Sequence, residues 1–137
     1  MNNLFAYGTL MCEDIMAEVS GCCLSYVSGT LKGYGRRSVK GEHFPALIPD
    51  AAGSVDGIVY RNVPEWAWAR LDRFEGEMYA RREVRVELRD GSIMPAETYV
   101  VHPEYQDQLE ASAWDFEVFL SKGKTLFQNG YRGYRKL

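Results

Sequence analysis

Glycines at 29, 33, 35, 41, 53 and 57 interrupt a stretch of strand-forming residues that runs from Leu24 to Tyr60. No other feature limits the fold as strongly. A flat sheet gains nothing from glycine at such short intervals. A curled sheet does, because glycine accommodates the bends and bulges that curling needs. Between the glycines, Leu24, Tyr26, Val27, Thr30 and Leu31 are strand formers. Phe44-Pro45-Ala46-Leu47-Ile48 is a short apolar run closed by Pro49-Asp50, and Gly57-Ile58-Val59-Tyr60 is another. Upstream, Leu4 to Tyr7 reads as a strand that stops at Gly8-Thr9, and Met11 to Val19 as a helix capped near Thr9 and ended by Gly21. Downstream, Pro64 opens a helix at its first position, and Val63, Ala67, Leu71 and Phe74 recur at a helical period beside Trp66 before Gly76 ends it. Tyr79 to Leu88 alternates, Asp90-Gly91 signals a two-residue hairpin turn, and Ile93 to Val101 is the partner strand. A last helix starts near Ser112 with Asp115 as a capping-box pair, carries Phe116, Phe119, Leu120 and Phe127 as its apolar stripe, and ends at Gly130. The sum predicts an α+β fold: a bent, barrel-like, antiparallel or mixed sheet with flanking helices. A length of 137 residues predicts one domain over 1–137, with a core large enough to need no disulfide or structural metal.

Composition then works by exclusion. Sixteen Lys and Arg against nineteen Asp and Glu give a net charge of -3, a poor match for a phosphate backbone, so no nucleic-acid partner is expected. No apolar run reaches the roughly 18 residues of a membrane span. The opening MNNLFAYGTL has neither the basic start nor the apolar stretch of a signal peptide. The odd set Cys12, Cys22 and Cys23 reads as reduced thiols, which together with those absences predicts a cytoplasmic protein. There is no GxxxxGK[ST], no GxGxxG after a strand and no HExxH, and neither His43 nor His102 has ligand-type neighbours at metal spacing. No metal and no cofactor are expected.

Four features remain as candidate chemistry. Tyr7-Gly8-Thr9-Leu10 at a strand end can turn several backbone N–H groups toward one point, a nest for a carboxylate or an oxyanion. An ordinary strand-to-helix turn with Thr9 as cap explains the same residues. Glu75 ends the helix just before Gly76, where the helix dipole disfavours a carboxylate and burial would raise its proton affinity toward that of an acid–base catalyst. By that test alone Asp72, Glu77 and Glu83 look the same, and a surface Glu that merely ends a helix is the alternative. Tyr79 stands near enough to reach the same pocket or to pack in the core, and of Arg81 and Arg82 only one faces the pocket side of a regular strand. The tail Tyr131-Arg132-Gly133-Tyr134-Arg135-Lys136 interleaves rings and cations, a pattern that binds RNA, but it also suits a solvated tail or one covering an end of the sheet.

Taken in order, these motifs resemble the gamma-glutamylcyclotransferase-like superfamily, in particular its AIG2-like branch, which includes gamma-glutamylamine cyclotransferase. Phe5-Ala6-Tyr7-Gly8-Thr9-Leu10 resembles the family's Y-G-[ST]-L loop, His43-Phe44-Pro45-Ala46-Leu47 its aromatic-Pro segment, and Val55-Asp56-Gly57-Ile58-Val59-Tyr60 the strand before its helix. Leu71-Asp72-Arg73-Phe74-Glu75-Gly76 with Tyr79 and Arg81 or Arg82 resembles its L-D-x-x-E-G…Y-x-R signature. The resemblance implies a barrel-like fold with flanking helices and a small-molecule γ-glutamyl substrate, without cofactor or metal. It implies that the substrate's α-amine attacks its own γ-carbonyl, releasing 5-oxoproline and a free amine or amino acid. It assigns Glu75 as the acid–base residue, the backbone of Tyr7, Gly8, Thr9 and Leu10 as the donor loop, and Tyr79 as a residue that orients substrate or Glu75. A non-catalytic module that binds a small metabolite in the same pocket is the alternative on this fold.

Overall fold

The computed structural model describes residues 2–137; Met1 and the side chain of Lys136 lie outside the described part. The chain runs β1 (Asn2–Ala6), α1 (Glu13–Ser20), β2 (Tyr26–Val39), β3 (Pro45–Val63), α2 (Glu65–Glu75), β4 (Tyr79–Leu88), β5 (Ile93–Val101), β6 (Leu109–Ala113), α3 (Phe116–Val118) and α4 (Lys124–Gly130). The strands lie in the order β3-β1-β5-β4-β2-β6, and β2 also pairs with β3. That extra pairing closes five strands into a barrel and leaves β6 as an appendage on β2. All pairings are antiparallel except β1 with β5, so the barrel is mixed.

Closure depends on the glycines that dominate the sequence. Gly29 and Gly57 face each other across β2 and β3. A Cβ on the first would stand 2.5 Å from Val86 Cγ1, and one on the second 2.4 Å from the carbonyl oxygen of Ala6. With no side chain at either site, β4 and β1 press close enough to complete the ring. The register of β2 against β3 slips between Lys32 and Tyr34, where Gly33 has a φ of +86° and Asp50 to Gly53 swing out opposite it. That excursion explains why Pro49-Asp50 does not end the strand as the sequence suggested. The proline sits at a bulge, where its missing N–H removes no ladder bond, and the strand continues to Val63.

Alternation along each strand sorts the core into two compartments. Phe5, Leu31, Leu47, Val55, Val59, Val84, Val86, Ala96 and Val100 fill the barrel. Leu4, Ala6, Tyr60, Val63, Tyr99 and Val101 point the other way, against Ile15, Val19, Leu71, Phe74, Phe119 and Phe127 of the helices. Arg70 of α2 donates to the carbonyls of Val19 (2.7 Å) and Glu18 (3.2 Å), satisfying the C-terminal end of α1.

Local expectations hold with corrections. Thr9 does not cap α1: it begins a single 3-10 turn (Thr9–Met11), and Cys12 stands at the cap of α1. Pro64 precedes α2 rather than opening it, and Trp68, not Trp66, is the buried indole. Ser112 lies in β6, and Asp115 alone caps α3 by accepting from the N–H groups of Glu117 and Val118. From α3 the chain passes through a wide π turn (Phe119–Gly123) into α4, and Leu120 is exposed where the stripe would bury it. The Asp90-Gly91 hairpin is a three-residue loop with Gly91 at φ +86°: Leu88 N–H donates to Ser92 (2.8 Å) and Gly91 N–H to Leu88 (3.0 Å). The extra residue sets Tyr99 opposite Arg81, whereas a two-residue turn would have set it opposite Arg82 on the other face. The C-terminal tail folds back on the end of α2, with the rings of Tyr131 and Tyr134 packed against Phe74 at 4.9 and 5.1 Å. No helix among the described residues is long and apolar enough to cross a membrane.

Candidate active site

β1 delivers Tyr7 to the mouth of the barrel, and α2 delivers Glu75 to the same place from the helix layer. Between them lies a narrow cavity of about 30 Å³, lined by Tyr7, Gly8, Thr9, Leu10, Pro45, Glu75 and Tyr99 together with β1. The turn after β1 has a form that leaves donors free. Met11 N–H bonds Gly8 and Cys12 N–H bonds Thr9. The N–H groups of Gly8, Thr9 and Leu10 precede the first closed turn and have no acceptor among the described residues.

The loop's orientation is held from both sides. Arg36 Nη1 donates to the Tyr7 carbonyl (2.8 Å), and its guanidinium lies 5.3 Å from the Trp114 ring centre. Because C=O and N–H point in opposite directions across a trans peptide, gripping the Tyr7 carbonyl turns the Gly8 N–H away from Arg36. The Tyr7 hydroxyl donates to the Tyr99 carbonyl (2.6 Å), and Tyr60 donates to the Leu10 carbonyl (2.7 Å). Gly8 packs against Pro45: a Cβ there would sit 2.8 Å from Cγ and 3.0 Å from Cδ of the proline ring. Gly8→Ala is therefore expected to destabilise the protein by about 1–3 kcal/mol, measured by urea unfolding. An unchanged midpoint would mean that this wall yields freely.

Glu75 is half-buried as a residue, and its carboxyl is enclosed by protein. Loss of hydration raises its pKa, Asp72 on the preceding helical turn raises it further, and together they bring it to about 8. Among the described residues no hydrogen bond to the carboxyl opposes them. Asp72 is itself held by the Tyr99 hydroxyl (2.6 Å) and by Arg81, whose Nη2 lies 3.6 Å away. Tyr7, Tyr79, Tyr99 and Tyr131 all face this centre; burial first, with the Glu75 charge contributing in each case, raises their hydroxyl pKa values. They are neutral donors across the neutral range. The arrangement joins a carboxyl able to exchange protons near neutrality to three unpaired backbone donors.

Five of the six residues singled out from the sequence thus meet at one cavity: Tyr7, Gly8, Thr9, Leu10 and Glu75. Tyr79 does not line it. Its hydroxyl donates to the Pro45 carbonyl (2.7 Å) and so holds the wall opposite Gly8. Arg81 is the member of its pair that faces α2. Sequence reasoning missed Tyr99, although counting outward from a three-residue hairpin loop would have placed it across from Arg81. It also gave no role to Arg36, which is mid-strand and half-buried. Among the described residues no group of His, Cys, Asp and Glu has the geometry of a metal site.

The family model described as gamma-glutamyl cyclotransferase, AIG2-like, matches residues 4–116. The chain belongs to this family. AIG2-like protein C of Arabidopsis thaliana is 32% identical over 91% of this chain and 73% of its own length. A solution structure of an Arabidopsis thaliana protein superposes with a TM-score of 0.72 at 29% identity, covering 93% of this chain and 86% of that one. A solved structure described as gamma-glutamyl cyclotransferase superposes with a TM-score of 0.66 at 16% identity, covering 80% of this chain and 68% of the other, a likeness of fold alone. The matched span of this AIG2-like chain holds the loop, Pro45, Glu75 and Tyr99, and stops short of the C-terminal tail.

Proposed function

We propose that this AIG2-like chain, as one domain over its 137 residues, is a gamma-glutamyl cyclotransferase that converts a small γ-glutamyl amine or amino acid into 5-oxoproline and the free amine. One observation carries the reading: a carboxyl with its pKa raised to about 8 shares a cavity with the donor turn Gly8–Leu10. The Glu75 carboxylate takes a proton from the substrate's α-ammonium. The freed nitrogen lone pair attacks the γ-carbonyl carbon, and the carbonyl π pair moves onto oxygen. The backbone N–H groups of the loop receive the substrate carboxylate and the developing oxyanion. Collapse of the tetrahedral intermediate breaks the bond to the leaving nitrogen, which takes the proton back from Glu75, and the ring nitrogen then gives its second extra proton, through the same carboxylate, to the departing amine, which leaves as the ammonium. No water, oxidant or metal enters the balance. Because nucleophile and carbonyl belong to one molecule, holding it folded supplies much of the acceleration.

The pH dependence tests this reading. Glu75 must be ionised to take the proton, and the substrate must arrive as the ammonium form to supply it. The profile of kcat/KM is therefore expected to be a bell. Its acid limb should have a midpoint near 8, from Glu75, and stay in place across substrates. Its alkaline limb should follow the substrate amine. An acid limb in the ordinary carboxylate range would remove Glu75 from the role.

A further inference from the structure

Helix α2 ends at Glu75, so its last carbonyls have no partner within the helix. One hydroxyl from the far end of the chain shares its single O–H between two of them. Tyr131 Oη donates to the Phe74 carbonyl (2.8 Å) and to the Glu75 carbonyl (3.2 Å). These two carbonyls belong to the two peptide planes that meet at the Glu75 Cα. Fixing both planes fixes the backbone angles of Glu75 and with them the direction of its Cα–Cβ bond. The ring that carries the hydroxyl is itself wedged, 4.9 Å from Phe74, 4.6 Å from Phe127 and 5.2 Å from Phe44, which adjoins Pro45 of the cavity wall. The tail begins beyond residue 116, where the family match stops.

We infer that Tyr131, at the head of the C-terminal tail, is a positioning residue for Glu75. The inference rests on the proposed cyclotransferase reading for its kinetic consequence but not for its structural one. Tyr134 supplies an internal control. Its ring packs 5.1 Å from Phe74, but its buried hydroxyl has no partner among the described residues. Removing that hydroxyl keeps the aromatic packing and breaks no bond to the helix end.

The test compares Tyr131→Phe with Tyr134→Phe in the full chain. Tyr131→Phe is expected to lower kcat for 5-oxoproline release about tenfold or more, because small misplacements of a reacting group are costly. KM should stay within about twofold, since the donor loop is untouched. Carboxyl NMR reads Glu75 directly and needs no turnover. The titratable groups facing it are Asp72 on its own helix, Tyr7, Tyr79, Tyr99 and Tyr131. The four tyrosines are neutral near neutrality, and neither variant removes Asp72. In Tyr131→Phe the Glu75 titration midpoint is expected to fall by about one pH unit or more as the loosened helix end admits water. Tyr134→Phe should match wild type in both readouts. Equal kcat and equal midpoints for Tyr131→Phe and wild type would overturn the inference, as would equal changes in the two variants. If wild type releases no 5-oxoproline, the cyclotransferase reading fails, and the midpoint comparison still decides whether Tyr131 positions Glu75.

Discussion

Glu75→Gln is expected to lower 5-oxoproline formation at least about a hundredfold, the usual size of a general acid–base contribution. The amide is nearly isosteric, but it neither accepts the α-ammonium proton nor returns one. The same substitution should also change how stability depends on pH, in the opposite sense to its effect on activity. In the folded protein the Glu75 pKa is raised to about 8, whereas in the unfolded chain it is that of a solvated carboxyl. As pH rises between those two values, the unfolded state ionises first and gains stability, so wild type loses stability across this window. The full difference corresponds to a few kcal/mol, at about 1.36 kcal/mol per pKa unit, reduced because Glu75 keeps some exposure. The neighbouring tyrosines have pKa values raised further above neutrality and do not titrate in this window. Urea unfolding midpoints at pH 5 and pH 9 should therefore drop more for wild type than for Glu75→Gln. Parallel pH dependence in the two proteins would mean that the carboxyl is solvated. Glu77→Gln is the suitable control, since Glu77 is exposed and lines no part of the cavity. Asp72 is not, because it contacts Tyr99 and raises the pKa of Glu75.

Phe74→Ala should give the largest loss of stability. Phe74 is only 1% exposed, and its ring centre lies 6.0 Å from Phe127, 4.9 Å from Tyr131 and 5.1 Å from Tyr134. Truncation removes three edge-on ring contacts and leaves a void that α2, α4 and the tail must share. About 3–5 kcal/mol is expected, by denaturant unfolding at pH 6, where the raised pKa keeps Glu75 neutral. A loss below about 1 kcal/mol, the size of an average point substitution, would mean that the tail is not packed on the helix.

Much of this fold is legible in the chain because local and global signals agree. The glycine spacing calls for a curled sheet, and the Gly29–Gly57 pair is where neighbouring strands press in to close it. Alternation through Val84 and Val86 marks the face of β4 that fills the barrel. The Tyr7–Leu10 turn and Glu75 could be singled out because each stands at the end of an element, one a strand and the other a helix stopped by Gly76. The misreadings share a cause: the deciding partner is far away in sequence. Pro49 looks like a stop until Gly33, on the facing strand, creates the bulge that tolerates it. Ser112 looks like a cap until β2 takes residues 109–113 as an edge strand. Tyr99 and Arg36 carry no local mark. Tyr99 acquires a role from a hairpin register set by one extra loop residue, and Arg36 from the Tyr7 carbonyl, 29 residues before it in the chain. The tail reads as solvated or as a cover for one end of the sheet because nothing in Tyr131 to Arg135 reveals that the last carbonyls of α2 lack partners.

The central claim is the ring-closing reaction, and its most direct test is product release. Wild-type protein would be incubated with a panel of γ-glutamyl amines and γ-glutamyl amino acids, and 5-oxoproline and free amine would be quantified together. At least one substrate is expected to give the two products in equal amounts, at a rate that collapses in Glu75→Gln. Saturable binding of panel members with no product from any of them would contradict the claim, and would mark the cavity as a binding site for γ-glutamyl compounds without turnover.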